Sequence, residues 1–175
     1  GFYSDVSPRL VDMGDGAPGW ADAGVIIPWV MYQMYGDKVL LEQNYDAMKT
    51  YINILKEANP ENLWKNKRFN DFGDWLSTNA ETDKEVLATA FYAYSTNLLS
   101  KAAFALGKNV DAKFYAQQFE NIKEAFNKAY VDVDGKIKGH TQTAYVLAIK
   151  FDLLDADKRA MAAKWLVEDI KAHNY

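Results

Sequence analysis

Asp22-Ala23-Gly24-Val25-Ile26-Ile27-Pro28-Trp29-Val30-Met31-Tyr32-Gln33-Met34-Tyr35 is the stretch on which the fold turns. Val25, Ile26, Trp29, Val30, Met31 and Met34 are too dense for the one-sided stripe of a surface helix, so the spacing predicts a helix buried on most of its surface. Gly36 supplies a left-handed stop, and Pro28 removes one backbone hydrogen bond inside the helix. The next stretch, Val39 to Ala58, has a different pattern. Leu40, Leu41, Tyr45, Met48, Tyr51, Ile52 and Leu55 fall on one face, with Glu42, Asp46, Lys49, Asn53 and Lys56 opposite. That is an outer, half-solvated helix.

The alternation repeats along the chain. Thr82-Asp83-Lys84-Glu85 has the spacing of a capping box, with Thr82 as the cap, and predicts a heavily apolar helix from near Lys84 to Gly107. Asp111 to Tyr130 is a second outer helix, its Phe114, Tyr115, Phe119, Phe126 and Tyr130 assigned to core packing. Val131 to Ile137 alternates around Asp134-Gly135, the signal of a short β-hairpin. Thr141 can cap a third inner helix, and Asp155 or Asp157 starts a third outer one. Helices alternating between densely apolar and amphipathic predict an all-α toroid of α-hairpins. Loops before the inner helices, Gly1 to Trp20 and Glu61 to Asn79, are long and belong to one rim, where they suit a ligand site. Irregular helix spacing fits an equal-repeat solenoid poorly. Three hairpins make about half of a closed six-hairpin ring. Residues 1–175 are therefore expected to be a partial barrel domain, truncated at both ends, whose apolar edges the rest of the parent chain covers.

Composition narrows the chemistry. The 175 residues are 49% hydrophobic and 25% charged, enough for one sizeable core. A formal charge of -4 and the absence of a dense Lys/Arg block argue against nucleic acid or an anionic membrane as the main partner. No run of residues is long enough to span a bilayer. There are no cysteines and only two histidines, His140 and His173, so thiolate and His-rich metal sites are not expected, nor is any cofactor.

Two rim turns pair a tryptophan with an aspartate. Gly19-Trp20-Ala21-Asp22 leads into the first inner helix, and Asp71-Phe72-Gly73-Asp74-Trp75-Leu76 lies before the second. An indole offers a flat apolar face to the C–H side of a pyranose, while a carboxylate accepts hydrogen bonds from its hydroxyls. The structural alternative is that Trp20 and Trp75 plug the core while Asp22 and Asp74 cap helices. His140, at a loop end, fits a surface residue better than a ligand group, and Glu81 and Glu85 fit capping and solvation.

Gly19-Trp20-Ala21-Asp22-Ala23 with Val25-Ile26-Ile27-Pro28-Trp29, then Tyr35-Gly36-Asp37, Phe72-Gly73-Asp74-Trp75-Leu76 and Gln142-Thr143-Ala144-Tyr145-Val146-Leu147-Ala148 resemble the catalytic domain of family 78 glycoside hydrolases, the α-L-rhamnosidases. Asp5-Val6-Ser7-Pro8 resembles that family's Asp-Val-Ala-Pro loop. The resemblance implies an (α/α)6 barrel that hydrolyses terminal α-L-rhamnosyl residues with inversion, a rhamnose-containing glycoside as substrate, and a periplasmic or secreted parent. Inversion needs an acid and a base with carboxyls roughly 6.5–9.5 Å apart. The family's two glutamate motifs are absent from these residues, so no catalytic residue is assigned in this segment. What the resemblance assigns is a sugar-subsite wall of Trp20 and Trp75. Asp22 and Asp74 either bond hydroxyls or orient loops, and Asp5 is a lesser rim candidate.

Two other readings stay open on the residues alone. One is a non-catalytic α-hairpin module that binds a glycan or a protein on its rim. The other is a different (α/α)6 glycosidase or a polysaccharide lyase, although an acidic, aromatic rim suits a neutral sugar better than a uronate.

Overall fold

The chain order in the computed structural model, which describes residues 1–9 and 14–173, is helical throughout: α1 (Ala23–Tyr35), α2 (Lys38–Ala58), α3 (Lys84–Ala105), α4 (Asn109–Tyr130), α5 (Gln142–Lys150) and α6 (Ala156–Ala172). Consecutive helices pair as α-hairpins, α1 with α2, α3 with α4 and α5 with α6. Helix α3 also touches α1, α2 and α5, so α1, α3 and α5 form an inner layer and α2, α4 and α6 an outer one. The expected three-hairpin, all-α arrangement is the one observed.

Position in this layering follows from the sequence pattern. Helix α3 meets α1, α2, α4 and α5 and buries Val86, Leu87, Ala90, Tyr92, Leu98, Leu99 and Ala102 over most of its surface, leaving Lys101 and Phe104 exposed on one side. Helix α2 buries Leu41, Tyr45, Met48, Tyr51, Ile52 and Leu55, one stripe of the kind an outer helix needs. Gly36 ends α1 at φ +69°, and its N–H bonds the Tyr32 carbonyl. Thr141 caps α5 by accepting the Ala144 N–H, and Asp155 precedes α6.

Four expectations are corrected. Helix α1 is not buried on most of its surface: Val25 and Pro28 are, but Ile27, Val30, Met31 and Met34 are exposed, because among the described elements α1 meets only α2 and α3. Phe114 is not core; it is exposed at the solvent side of α4, with the Lys56 ammonium 5.7 Å over its ring. The β-hairpin is reduced to a single antiparallel bridge between Val131 and Ile137. There the Asp132 carboxylate accepts the N–H groups of Asp134 and Lys136, which closes the turn without a strand ladder. The cap of α3 is Asp83, not Thr82: the Asp83 carboxylate accepts the Glu85 and Val86 N–H groups, and the Thr82 hydroxyl turns elsewhere.

The N-terminal segment is clamped onto α1 by a glycine. The Tyr3 ring lies flat on Gly24, where an added Cβ would come within 2.4 Å of ring carbons, and it meets Tyr51 edge-on at 5.4 Å. Alanine should gain about 1 kcal/mol of helix propensity there but overpack the contact by about 1–3 kcal/mol. Gly24→Ala is therefore expected to lower the melting temperature of the full-length protein. An unchanged or higher melting temperature would show that Tyr3 does not hold its place.

Candidate functional site

The rim at the N-terminal ends of α1, α3 and α5 is built from three loops, and buried carboxylates set the first of them. Asp22 is fully buried. Its Oδ2 accepts the Gly19 N–H at 2.8 Å and its Oδ1 the Ser95 hydroxyl at 2.5 Å, which ties the Gly19-Trp20 turn to α3. Burial pushes the Asp22 carboxyl up to about 6, against the lowering effect of those hydrogen bonds. The Tyr51 hydroxyl is near enough for the two groups to influence each other but has no aligned hydrogen bond, and burial raises it well above its ordinary value. Asp5 is also buried; its Oδ1 accepts the Ala17 N–H at 2.8 Å and its Oδ2 the Asn70 side-chain amide at 3.0 Å, so it joins the first loop to the second. Both oxygens of Asp22 are thus engaged inside the fold.

The second loop is held in a costly conformation. Phe69, Asp71, Leu76 and Asn79 all have positive φ, between +34° and +62°. Each such residue costs of order 1–3 kcal/mol and persists only where surrounding contacts over-determine it. Those contacts are present: Arg68 pairs with Asp71 at 3.2 Å, and the Lys84 ammonium donates to the Asp71 carbonyl at 2.9 Å. The loop displays Trp75 and Leu76, both exposed.

These two loops bring the tryptophans together. Trp20 and Trp75 meet edge-on at 6.1 Å between centroids, and Phe72 touches both, at 4.9 Å and 5.5 Å. Behind Trp20 a cavity of about 330 Å3 is lined by Asp5, Pro18, Gly19, Gly73, Leu87 and Phe91. Asp74 lies on the other side, in a polar cavity of about 700 Å3 with Ser77, Asn79, His140, Gln142 and Asp169 among its walls. The five candidates thus occupy different places. Trp20 and Trp75 form an aromatic wall, Asp74 is the partly exposed carboxylate next to it, and Asp5 and Asp22 are the struts beneath. His140 also faces this rim, with its Nδ1 2.6 Å from the Tyr145 hydroxyl and its ring edge-on to Trp165. A groove of about 980 Å3 is at the opposite end of the hairpins, between the C-terminal halves of α1 and α3; its walls include Trp29, Tyr32 and Phe104 but no carboxylate.

Sequence reasoning does not single out Phe72, Ser95 or the role of Thr82. A glycine-flanked Phe72 beside a Trp-Asp pair is itself a signal of an aromatic platform, whereas Ser95 gives none, since only the fold brings it to Asp22. Among the described residues no group of three or more His, Asp or Glu side chains is placed to hold a metal ion, and no helix is long and apolar enough to cross a membrane.

Comparison with known proteins covers the whole chain. The family model described as the bacterial alpha-L-rhamnosidase 6 hairpin glycosidase domain matches residues 1–175. An alpha-L-rhamnosidase of Streptomyces avermitilis is 39% identical over 175 residues, covering 100% of this chain and 16% of its own length. One from Alteromonas sp. (strain LOR) is 38% identical over 161 residues, covering 85% of this chain and 17% of its own. The crystal structure of the S. avermitilis alpha-L-rhamnosidase complexed with L-rhamnose superposes with a TM-score of 0.92 at 39% identity, covering 99% of this chain and 16% of that one. The chain thus spans less than a fifth of the length of the relatives it matches.

Proposed function

The chain belongs to the bacterial α-L-rhamnosidase family of six-hairpin glycosidase domains, and from that premise we propose that it is part of an inverting glycosidase that releases terminal α-L-rhamnosyl residues. In this reading the segment supplies part of the sugar-binding wall, and the general acid and base lie on other segments of a longer protein. The observation that carries it is the contact of Trp20, Phe72 and Trp75 beside the partly exposed carboxylate of Asp74. Such a wall places an apolar surface and an anionic acceptor within one sugar's width, which suits a neutral 6-deoxy sugar with one apolar flank.

The chemistry divides accordingly. The aromatic wall excludes water from one side of the sugar and fixes its orientation, which lets acid and base act from opposite faces of the anomeric carbon. Asp74 accepts a hydrogen bond from a ring hydroxyl. Asp5 and Asp22 do not touch the sugar; they hold the loops that carry Trp20 and Trp75. The exposed apolar residues of α1, Ile27, Val30, Met31 and Met34, are covered by further hairpins of the same ring, which makes residues 1–175 a partial barrel domain.

Hydrolysis of p-nitrophenyl α-L-rhamnoside by the full-length protein tests this, with the first-formed anomer read by proton NMR. Release of β-L-rhamnose that then mutarotates is the expected result. First-formed α-L-rhamnose would overturn inversion, and no hydrolysis by a well-folded protein would overturn the activity.

A further inference from the structure

Thr82 and Thr141 are 59 positions apart, both buried, and their hydroxyl oxygens are 2.7 Å from each other. Thr82 Oγ1 is also 2.8 Å from Asp74 Oδ2, and the Ala144 N–H reaches Thr141 Oγ1 at 3.3 Å. A hydroxyl has one proton to give and an ionised carboxylate can only accept, so these contacts fix the direction of every bond. Thr82 gives its proton to Asp74. Its oxygen must then accept from Thr141, whose own oxygen accepts the Ala144 N–H. The chain runs from the N-terminal turn of α5, through two hydroxyls, to one carboxylate oxygen, and each donor polarises the next toward the negative charge.

We propose that Thr82 and Thr141 are positioning residues for sugar recognition, forming a one-way hydroxyl relay that locks Asp74 by Oδ2 and leaves Oδ1 as the acceptor available to a ligand in the cavity Asp74 lines. This rests on the rhamnosidase reading of the rim. Three features carry it beyond ordinary packing. Thr82 is the residue whose sequence context promises a helix cap, yet Asp83 does that work and the Thr82 side chain is turned inward to Asp74. The relay is a buried polar link between the loop before α3 and the loop before α5, beside the more exposed Lys138–Asp83 ion pair at 2.9 Å, so it helps set how far apart two walls of the cavity stand. Asp74 immediately precedes Trp75, so a shift in the Asp74 carboxylate also moves the indole of the aromatic wall.

The test compares Thr82→Val, which keeps the shape and removes the hydroxyl, with Thr82→Ser, which keeps the hydroxyl, in the full-length protein on p-nitrophenyl α-L-rhamnoside. Thr82→Val is expected to raise KM about tenfold with kcat little changed, as loss of an interaction made equally in the bound and transition states does. Thr82→Ser is expected to restore KM to within about twofold, and Thr82→Val on an Asp74→Asn background to add almost nothing. Thr141→Val, which also loses the α5 cap, should raise KM in the same way and serves if Thr82→Val does not fold. A merely structural role would lower the active fraction, and hence kcat, at unchanged KM. That result, or a Thr82→Val effect fully additive with Asp74→Asn, or failure of serine to rescue, would overturn the relay while leaving the rhamnosidase reading intact. A well-folded wild-type protein with no rhamnoside hydrolysis would overturn both.

Discussion

Trp75→Ala is expected to lower kcat/KM on p-nitrophenyl α-L-rhamnoside by roughly 30-fold to 1,000-fold while leaving the protein folded. The size follows from what an aromatic anchor contributes: truncating a well-placed tryptophan in a recognition site typically costs about 2–4 kcal/mol, and that range converts to the stated ratio at about 1.4 kcal/mol per tenfold. The small effect on stability follows from position. Trp75 is 58% exposed, and its ring contacts in the fold are edge-on ones with Trp20 and Phe72. An exposed side chain with such contacts stabilises the fold little, so the melting temperature should move by no more than about 2 °C. Trp75→Phe keeps a flat apolar ring and should recover most of the loss. Melting curves and steady-state kinetics on the same preparations separate the two effects. Unchanged kcat/KM in a folded Trp75→Ala protein would remove Trp75 from the sugar wall.

What could be read from the sequence, and what could not, divides along physical lines. Helices were legible because their apolar period is local: the stripe from Leu41 to Leu55 and the near-continuous apolar run from Val86 to Ala103 each show how many neighbours the helix has. The two Trp-Asp turns were legible for the same reason. Local reading failed where two local solutions were equally good. Thr82 and Asp83 can both cap α3, and only the hydroxyl of Thr141, 59 positions on, makes Thr82 more useful elsewhere. It also failed for Asp22, whose position just before α1 suggests a cap, although its oxygens reach Gly19 and Ser95 instead. Phe114 has helical spacing with Tyr115 and Phe119 but stands one step around the helix, on the solvent side. The positive-φ residues of the 69–79 loop carried no sequence warning, since Phe69 and Leu76 are residue types that ordinarily avoid that region.

Asp22→Asn is expected to flatten the pH dependence of stability and to exceed the wild type at neutral pH. Burial raises the Asp22 carboxyl from its ordinary 3.8 to about 6, so between those values the folded protein holds a proton that the unfolded chain has released. Stability therefore falls as pH rises through that window and levels off above about 6. The loss across the window is on the order of 3 kcal/mol. An asparagine can still accept the Gly19 N–H through its oxygen and can donate to the Ser95 hydroxyl oxygen, so it keeps both links of the turn without the buried charge. Asp22→Ala separates the two contributions. It leaves the Gly19 N–H and the Ser95 hydroxyl without an acceptor, at about 1–3 kcal/mol each, and below about pH 4, where the wild-type carboxyl is protonated in both states, nothing offsets that loss. Above pH 6, removal of the buried charge compensates part of it, so alanine should be more damaging in acid than at neutrality. Thermal melts of the full-length wild type and both variants from pH 4 to pH 8 read this directly. Parallel curves for wild type and Asp22→Asn would mean that Asp22 titrates as an ordinary carboxylate, with its environment open to water. A wild-type curve that falls away from Asp22→Asn between pH 4 and pH 6 would instead give the energy the fold spends to keep this carboxylate under the Gly19-Trp20 turn.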